Sequence, residues 1–401
     1  MEWLFVTYFA LHHALAKFFH LLCRWIYRKK PEVVPASQKS LLNLSATSLA
    51  KKIRDGETVV EAYIERIKEV NPFLNAVVED RFEAAIAQAK AYDEALRTGS
   101  VLPSSLEKEK PLYGVPITVK ESCSLKGLSH TGCTLARKGI KAQKNGVLVD
   151  LMEKAGAIPL CVTNTPELCT SLHSDNKLYG ATKNAYDGRR TAGGSSGGEG
   201  ALIGAGASVV GIGSDIAGSI RAPALFNGIF GHKPSPGTCL TEGHFPLPTS
   251  DLHRNYLTLG PLTRYAEDLH LTMKVMTSNC NYDLRLDEPV DLKNLRVYYT
   301  ENINTLVGTT SKEIKQKIKD ATNYFTEKDF PIPTIVQIHY TADNAIFNLL
   351  HCPAAYIPMG LNKEGLPIGF QVVAGPYQDR LCLAVAKKLE EEFGGWVPPW
   401  K

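Results

Sequence analysis

Three side chains in this sequence have the type and setting for nucleophilic catalysis: Ser195 and Ser219, both in a glycine-rich stretch, and Lys120 at the end of an apolar run. The stretch reads TAGGSSGGEGALIGAGASVVGIGSDIAGSIRAPALFNG from Thr191 to Gly228. A phosphate-binding loop would close its glycines with GK[ST], and no Lys-Ser or Lys-Thr pair follows them. A flexible Gly/Ser linker would not run at once into ALIGAGASVVGIG. Gly193 to Gly197 satisfies GxSxG, but that elbow needs an apolar strand before it, and KNAYDGRRTA is not one. Ser196 with Glu199 three residues on instead predicts a capping box that opens a helix at Gly197, with Ser195 just outside its N-terminus.

Ser219 follows the strand-like ASVVGIG in a loop, DIAGS, whose small residues let backbone N–H groups turn toward one point. An oxyanion hole is built that way, so Ser219 is the better nucleophile of the two serines. Asp215 and Arg221 flank it and could pair to hold the loop, or stand as a solvated ion pair. A serine hydroxyl needs a base. Eleven histidines leave a Ser-His-Asp triad open, yet His130, His173 and His232 sit in no comparably loaded context. Lys120 ends YGVPITVK, where a strand would carry it inward; a lysine is a base only when neutral, the form that burial favours. A solvated lysine at a strand end is the competing reading.

The elements that would position these residues follow from periodicity. Residues 36 to about 97 read as helices, with Val60, Ile64, Ile67 and Val70 on one face and Phe82, Ile86, Ala89 and Leu96 on another, either side of Asn71-Pro72. From Leu112 the pattern becomes strand, helix, strand: GVPITVK, VLVDLMEKAG, AIPLCVTNT. That succession argues for an α/β sheet. GEGALIGAG reads as a helix, ASVVGIG and IGFQVVAG as strands, and DRLCLAVAKKLEEEF as a closing amphipathic helix. Lys312 to Phe330 is polar and helical in character.

The chain has 401 residues, room for one large core or two domains. At 44% hydrophobic and 21% charged, with 32 Gly and 23 Pro, it is neither disordered nor fibrous. A net charge of +4, evenly spread, argues against nucleic acid as a partner. Nine scattered cysteines form no CxxC pair and no cluster at metal-ligand spacing, so neither metal nor cofactor is expected. Residues 1–30 hold the apolar MEWLFVTYFALHHALAKFFHLLCRWIY, then Arg28, Lys29 and Lys30, which predicts a membrane-anchor helix. Its length suits a span, while His13, Lys17, His20, Arg24 and Arg28 share one face, as in a helix lying in the interface. Both readings stay open, as do compartment and oligomeric state, a homo-oligomer included.

Taken together, GGSSGG, the GSIR loop about two dozen residues later and GVPITVKES resemble the amidase signature family. GPLTRYAEDL and GLPIGFQVVAGPYQDRLCLAVAKKLE extend the likeness, which spans most of 40–310 and 350–396. Within the family, the apolar N-terminus and FNGIFGHKPSPG look most like the animal fatty-acid amide hydrolases of the second type. The resemblance implies a mixed β-sheet core sandwiched by helices over residues 36–401, shortened around 325–345 where relatives carry a long helical stretch. It implies a Ser-Ser-Lys triad: Lys120 takes a proton from Ser195, Ser195 from Ser219, and Ser219 attacks the carbonyl of a lipid amide. Backbone N–H groups of Ile216, Ala217, Gly218 and Ser219 would hold the oxyanion, and Cys169 would lie beside the substrate. Ala217 replaces a usual glycine, which would strain the loop if that position had positive φ. Rival readings are a catalytically silent membrane-bound relative with an incomplete pocket, and an amidase for small polar amides.

Overall fold

The computed structural model describes residues 32–247, 249–250, 254–295, 298–300, 310–327 and 341–400, with seven helical positions between Leu11 and Leu22. The expected anchor over 1–30 thus lies largely outside the described residues, as does much of the shortened region at 325–345. Of the seven positions, Leu11, Leu15, Phe18, Phe19 and Leu21 are exposed. Among the described residues no helix is long and apolar enough to cross a membrane.

Eight strands form one mixed sheet: β1 (Val77–Asp80), β2 (Pro116–Lys120), β3 (Ile158–Thr163), β4 (Val210–Asp215), β5 (Phe230–Lys233), β6 (Thr258–Thr263), β7 (Ala354–Leu361) and β8 (Pro367–Val373). Their order is β1-β3-β2-β4-β6-β5-β7-β8. β3, β2 and β4 run parallel, and all other pairings are antiparallel. Strands β2, β3 and β4 are buried throughout, as parallel strands covered on both faces must be.

The helices are α1 (Ala46–Arg54), α2 (Val60–Leu74), α3 (Phe82–Arg97), α4 (Pro103–Glu109), α5 (Val147–Lys154), α6 (Gly197–Gly204), α7 (Arg221–Asn227), α8 (Ala266–Met276), α9 (Lys312–Glu327), α10 (Thr341–Leu349) and α11 (Asp379–Phe393). The apolar faces read from the sequence are inward: Val60, Ile64, Ile67 and Val70 of α2 are all buried, each contributing about 1.5–3 kcal/mol when fully removed from water. Two local readings change. α2 runs through Pro72 to Leu74, since its buried face continues there. The stretch from residue 36 to about 97 is also not wholly helical: β1 leaves it to pair antiparallel with β3, Asp80 opposite Cys161.

α6 is buried at every residue and packs across the sheet, so it needs small residues on the side it presents to the strands. At Gly198 a Cβ would stand 2.5 Å from the backbone nitrogen of Asn164, closer than any side chain tolerates. The capping box does not form. α6 begins at Gly197 as expected, but the Ser196 side chain makes no cap; Ser174 Oγ accepts from Gly197 N at 3.1 Å instead. Glu199 is drawn into the sheet by the hydroxyls of Thr118 and Thr163, the latter donating at 2.7 Å. Burial pushes its carboxyl up to about 8 against these two bonds.

Candidate active site

The parallel strands β2, β3 and β4 end on one edge of the sheet, the usual place for a site in an α/β fold. β2 delivers Lys120 there and β4 delivers Ser214 and Asp215; α6 and the loop before α7 bring Ser195 and Ser219 to the same edge. Ile117 and Val119 of β2 face Val210 and Ile212 of β4, a register that sets the end of one strand beside the end of the other.

Lys120 is fully buried, so the solvated reading of it fails. Its Nζ lies 2.6 Å from Ser195 Oγ and 2.9 Å from Ser214 Oγ. Ser219 is 6% exposed, and no hydrogen bond joins its hydroxyl to Ser195 or another partner among the described residues. Both serines line a cavity of about 480 Å3 whose other walls are Leu168, Cys169, Thr170, Ser214, Ile216, His244, Pro246, Leu247 and Leu257. Leu168, Ile216, Pro246, Leu247 and Leu257 give it apolar walls, and Thr170, the three serines and His244 give it polar ones. A wider groove of about 710 Å3 elsewhere, lined by Arg54, Glu109, Lys154 and Lys274, holds none of the candidate residues.

The nucleophile loop is fixed from behind. Asp215 accepts from the N–H of Gly218 at 2.7 Å and of Ile220 at 3.0 Å. Arg221 clamps the same carboxylate bidentately, Nε at 3.1 Å and Nη2 at 2.9 Å, with both side chains buried. Burial alone would push Asp215 up, but the Arg221 guanidinium outweighs it and holds the carboxyl well below the usual range. Arg221 also reaches Asn348 Oδ1 at 2.7 Å, Gln371 Oε1 at 3.0 Å and the Asn344 carbonyl at 3.1 Å, so α10 and β8 buttress the loop.

Of the four N–H groups named for an oxyanion hole, that of Gly218 is thus occupied by Asp215, because the loop needs it as an internal tie. Those of Ile216, Ala217 and Ser219 have no acceptor among the described residues. The feared strain at Ala217 is absent. The positive φ of the loop, 113°, falls on Gly218, where a Cβ would also meet Asn344 Nδ2 at 2.6 Å.

Cys169 ends a short turn and lines the cavity, its Sγ 3.4 Å from Thr165 Oγ1. Burial raises its pKa, yet the positive charge of a protonated Lys120, with His244, outweighs that and leaves the thiol lowered to about 6, a pull that is lost when Lys120 is neutral. Two residues of the site escaped the sequence reading. Ser214 touches Lys120, and its place at the end of β4 was the available signal. His244, in GHFP, is buried against Ser214 and Ser122 and carries no local motif to announce it.

The structure thus sets a buried lysine in contact with one serine, near a second serine on a hydrogen-bonded loop, and comparison with known proteins identifies the family. The amidase family model matches residues 58–321 and 316–383. The chain is 36% identical to fatty-acid amide hydrolase 2-B of Danio rerio over 492 positions, covering 92% of this chain and 93% of that protein. It is 35% identical to fatty-acid amide hydrolase 2 of Homo sapiens over 485 positions, covering 90% and 91%. Among solved structures, 6-aminohexanoate cyclic dimer hydrolase superposes with a TM-score of 0.77 at 20% identity, over 90% of this chain and 99% of that one. A fatty acid amide hydrolase superposes at 0.69 with 21% identity, over 89% and 86%. This chain belongs to the amidase signature family and is a hydrolase related to the fatty-acid amide hydrolases. Covering 92% of 401 residues means about 369, so roughly 120 of the 492 aligned positions of the zebrafish protein face no residue here.

Proposed function

We propose that this protein hydrolyses fatty-acid amides to a free fatty acid and an amine through an acyl-enzyme on Ser219. The observation that carries the reading is the buried Lys120 Nζ, 2.6 Å from the Oγ of Ser195, a residue that lines the same cavity as Ser219. Neutral Lys120 accepts the Ser195 proton as Ser195 accepts that of Ser219, and Ser219 Oγ adds to the amide carbonyl. The N–H groups of Ile216, Ala217 and Ser219 face the developing oxyanion. Collapse returns a proton through Ser195 to the leaving nitrogen, and water then cleaves the ester with the same relay in reverse. No cofactor enters any step.

The lipid nature of the substrate is supported by the cavity walls Leu168, Ile216, Pro246, Leu247 and Leu257, which offer an acyl chain apolar contact. The apolar N-terminus supports the same reading, since a membrane anchor brings the chain to where such a substrate dissolves. Cys169 is the wall residue beside the reacting carbonyl.

The test is labelling of the detergent-solubilised protein with a fluorophosphonate serine probe, beside Ser219→Ala. Labelling that disappears in the variant supports Ser219 as nucleophile. A folded wild type that takes no label would mean a silent relative, the consequence expected if the roughly 120 unmatched positions were needed to complete the pocket.

A further inference from the structure

His244 enters none of those steps, yet it is 4% exposed and lines the same cavity as Ser195 and Ser219. Its Nδ1 lies 2.9 Å from the carbonyl oxygen of Pro246, and its Nε2 lies 2.9 Å from Ser214 Oγ and 3.1 Å from Ser122 Oγ. A carbonyl only accepts, so the ring proton sits on Nδ1, and Nε2 of the neutral ring can only accept. Ser214, the nearer hydroxyl, is then the donor to Nε2.

This fixes what Ser214 offers to Lys120. With its proton on His244, Ser214 presents a lone pair toward Nζ at 2.9 Å and takes an N–H from it. A neutral lysine has two N–H groups and one lone pair. With one N–H committed to Ser214, the lone pair is free to meet the Ser195 hydroxyl at 2.6 Å. Were Ser214 free to rotate, its own proton could occupy that lone pair, and Lys120 would no longer accept from Ser195.

We infer that His244 is a positioning residue which, through Ser214, sets the direction of the hydrogen-bond chain from Pro246 to Lys120 and so keeps the lysine lone pair on Ser195. The inference rests on the Lys120, Ser195 and Ser219 reading above. It needs no covalent role for His244 and no contact with substrate.

The test compares the rate constant and apparent affinity of fluorophosphonate labelling in the full chain for wild type, His244→Leu, His244→Gln, Ser214→Ala and the Leu/Ala double variant. Leucine fills the space without an acceptor, so the labelling rate constant should fall on the order of 10- to 100-fold while apparent affinity stays within about twofold. Glutamine, whose amide oxygen can accept from Ser214, should keep the rate within about threefold of wild type. The double variant should be no slower than the slower single one, because both changes break one chain. A leucine variant as fast as wild type, or a folded glutamine variant as slow as leucine, overturns the inference. Should the leucine variant not fold, Ser214→Ala must show the same loss, and an unaffected rate there overturns it equally. Wild type labelled on Ser219 with unchanged variants defeats this inference alone. Wild type that takes no label defeats the hydrolase reading and the inference together.

Discussion

Lys120 and Ser195 act on one proton, so their losses should not add. Lys120→Ala removes the base and should slow Ser219 labelling by about 10²–10⁴-fold. Ser195→Ala breaks the path to that base and should cost a similar factor, and the double variant little more. An additive double variant would mean two separate routes for the proton, against the 2.6 Å contact between them. The loop makes a second prediction at this scale. Gly218→Ala forces a Cβ onto a φ of 113° and against Asn344, so it should destabilise by about 1–3 kcal/mol for the backbone alone and depress labelling. Ala217→Gly should change the melting midpoint by no more than a degree or two, at about 0.5 kcal/mol or less. The sequence drew attention to Ala217 because a glycine is usual there. Which of two adjacent small residues takes positive φ depends on the ties made by Asp215, and no local pattern reveals that.

Asp215 and Arg221 could be read as flanking the nucleophile, but not as the center of a brace between β4, α7, α10 and β8. Asn344 and Asn348 lie over a hundred residues further on, and only folding brings them to Arg221. Arg221→Ala strands the Asp215 carboxylate in the interior, where an unpaired charge costs about 3–5 kcal/mol. Arg221→Lys should recover only part of that, because an ammonium lacks the fork that grips both oxygens. Urea denaturation of the two variants measures both, and equal stability would show the fork to be unimportant. The Glu199 reading failed for a related reason: spacing pointed to a cap, while the threonines of two neighbouring strands captured the carboxyl. Its pKa rises from 4.5 to about 8 on folding, so the folded chain holds an extra proton between those values. That stabilisation is complete below about pH 4.5 and is lost as pH rises through 8. Glu199→Gln cannot ionise, and its stability relative to wild type should improve by on the order of a few kcal/mol from about pH 5 to about pH 9. A difference that stays constant with pH would mean that Glu199 is charged throughout.

At the scale of the whole molecule, the α/β class was legible because strands β2, β3 and β4 are continuous apolar runs with helices between them. β1 was not, since four residues between two long helices, three half-buried and Asp80 exposed, carry too little pattern to be told from a linker. The two family matches meet at residues 316–321, within α9, and the alignment leaves the zebrafish relative with roughly 120 unmatched positions. On the described surface, α10 turns Asn344 and Asn348 to the nucleophile loop while Ile346, Leu349 and Leu350 stand exposed, and Ile216 and Leu247 are exposed at the cavity. Two apolar surfaces could therefore meet a bilayer: this patch and the N-terminal segment. Their magnitudes decide between them. The patch offers five large side chains, whereas residues 1–27 hold Trp3, Leu4, Phe5, Phe9, Leu11, Leu15, Phe18, Phe19, Leu21, Leu22, Trp25 and Ile26. At about 1.5–3 kcal/mol for each one fully buried, the N-terminal term is more than twice the other. The 401-residue chain should thus float with phosphatidylcholine vesicles, and a chain starting at Glu32 should remain in the dense fractions while still taking the fluorophosphonate label. If the shortened chain floats as well, the patch beside the cavity carries the membrane contact; Ile346→Ser with Leu349→Ser and Leu350→Ser would then release it.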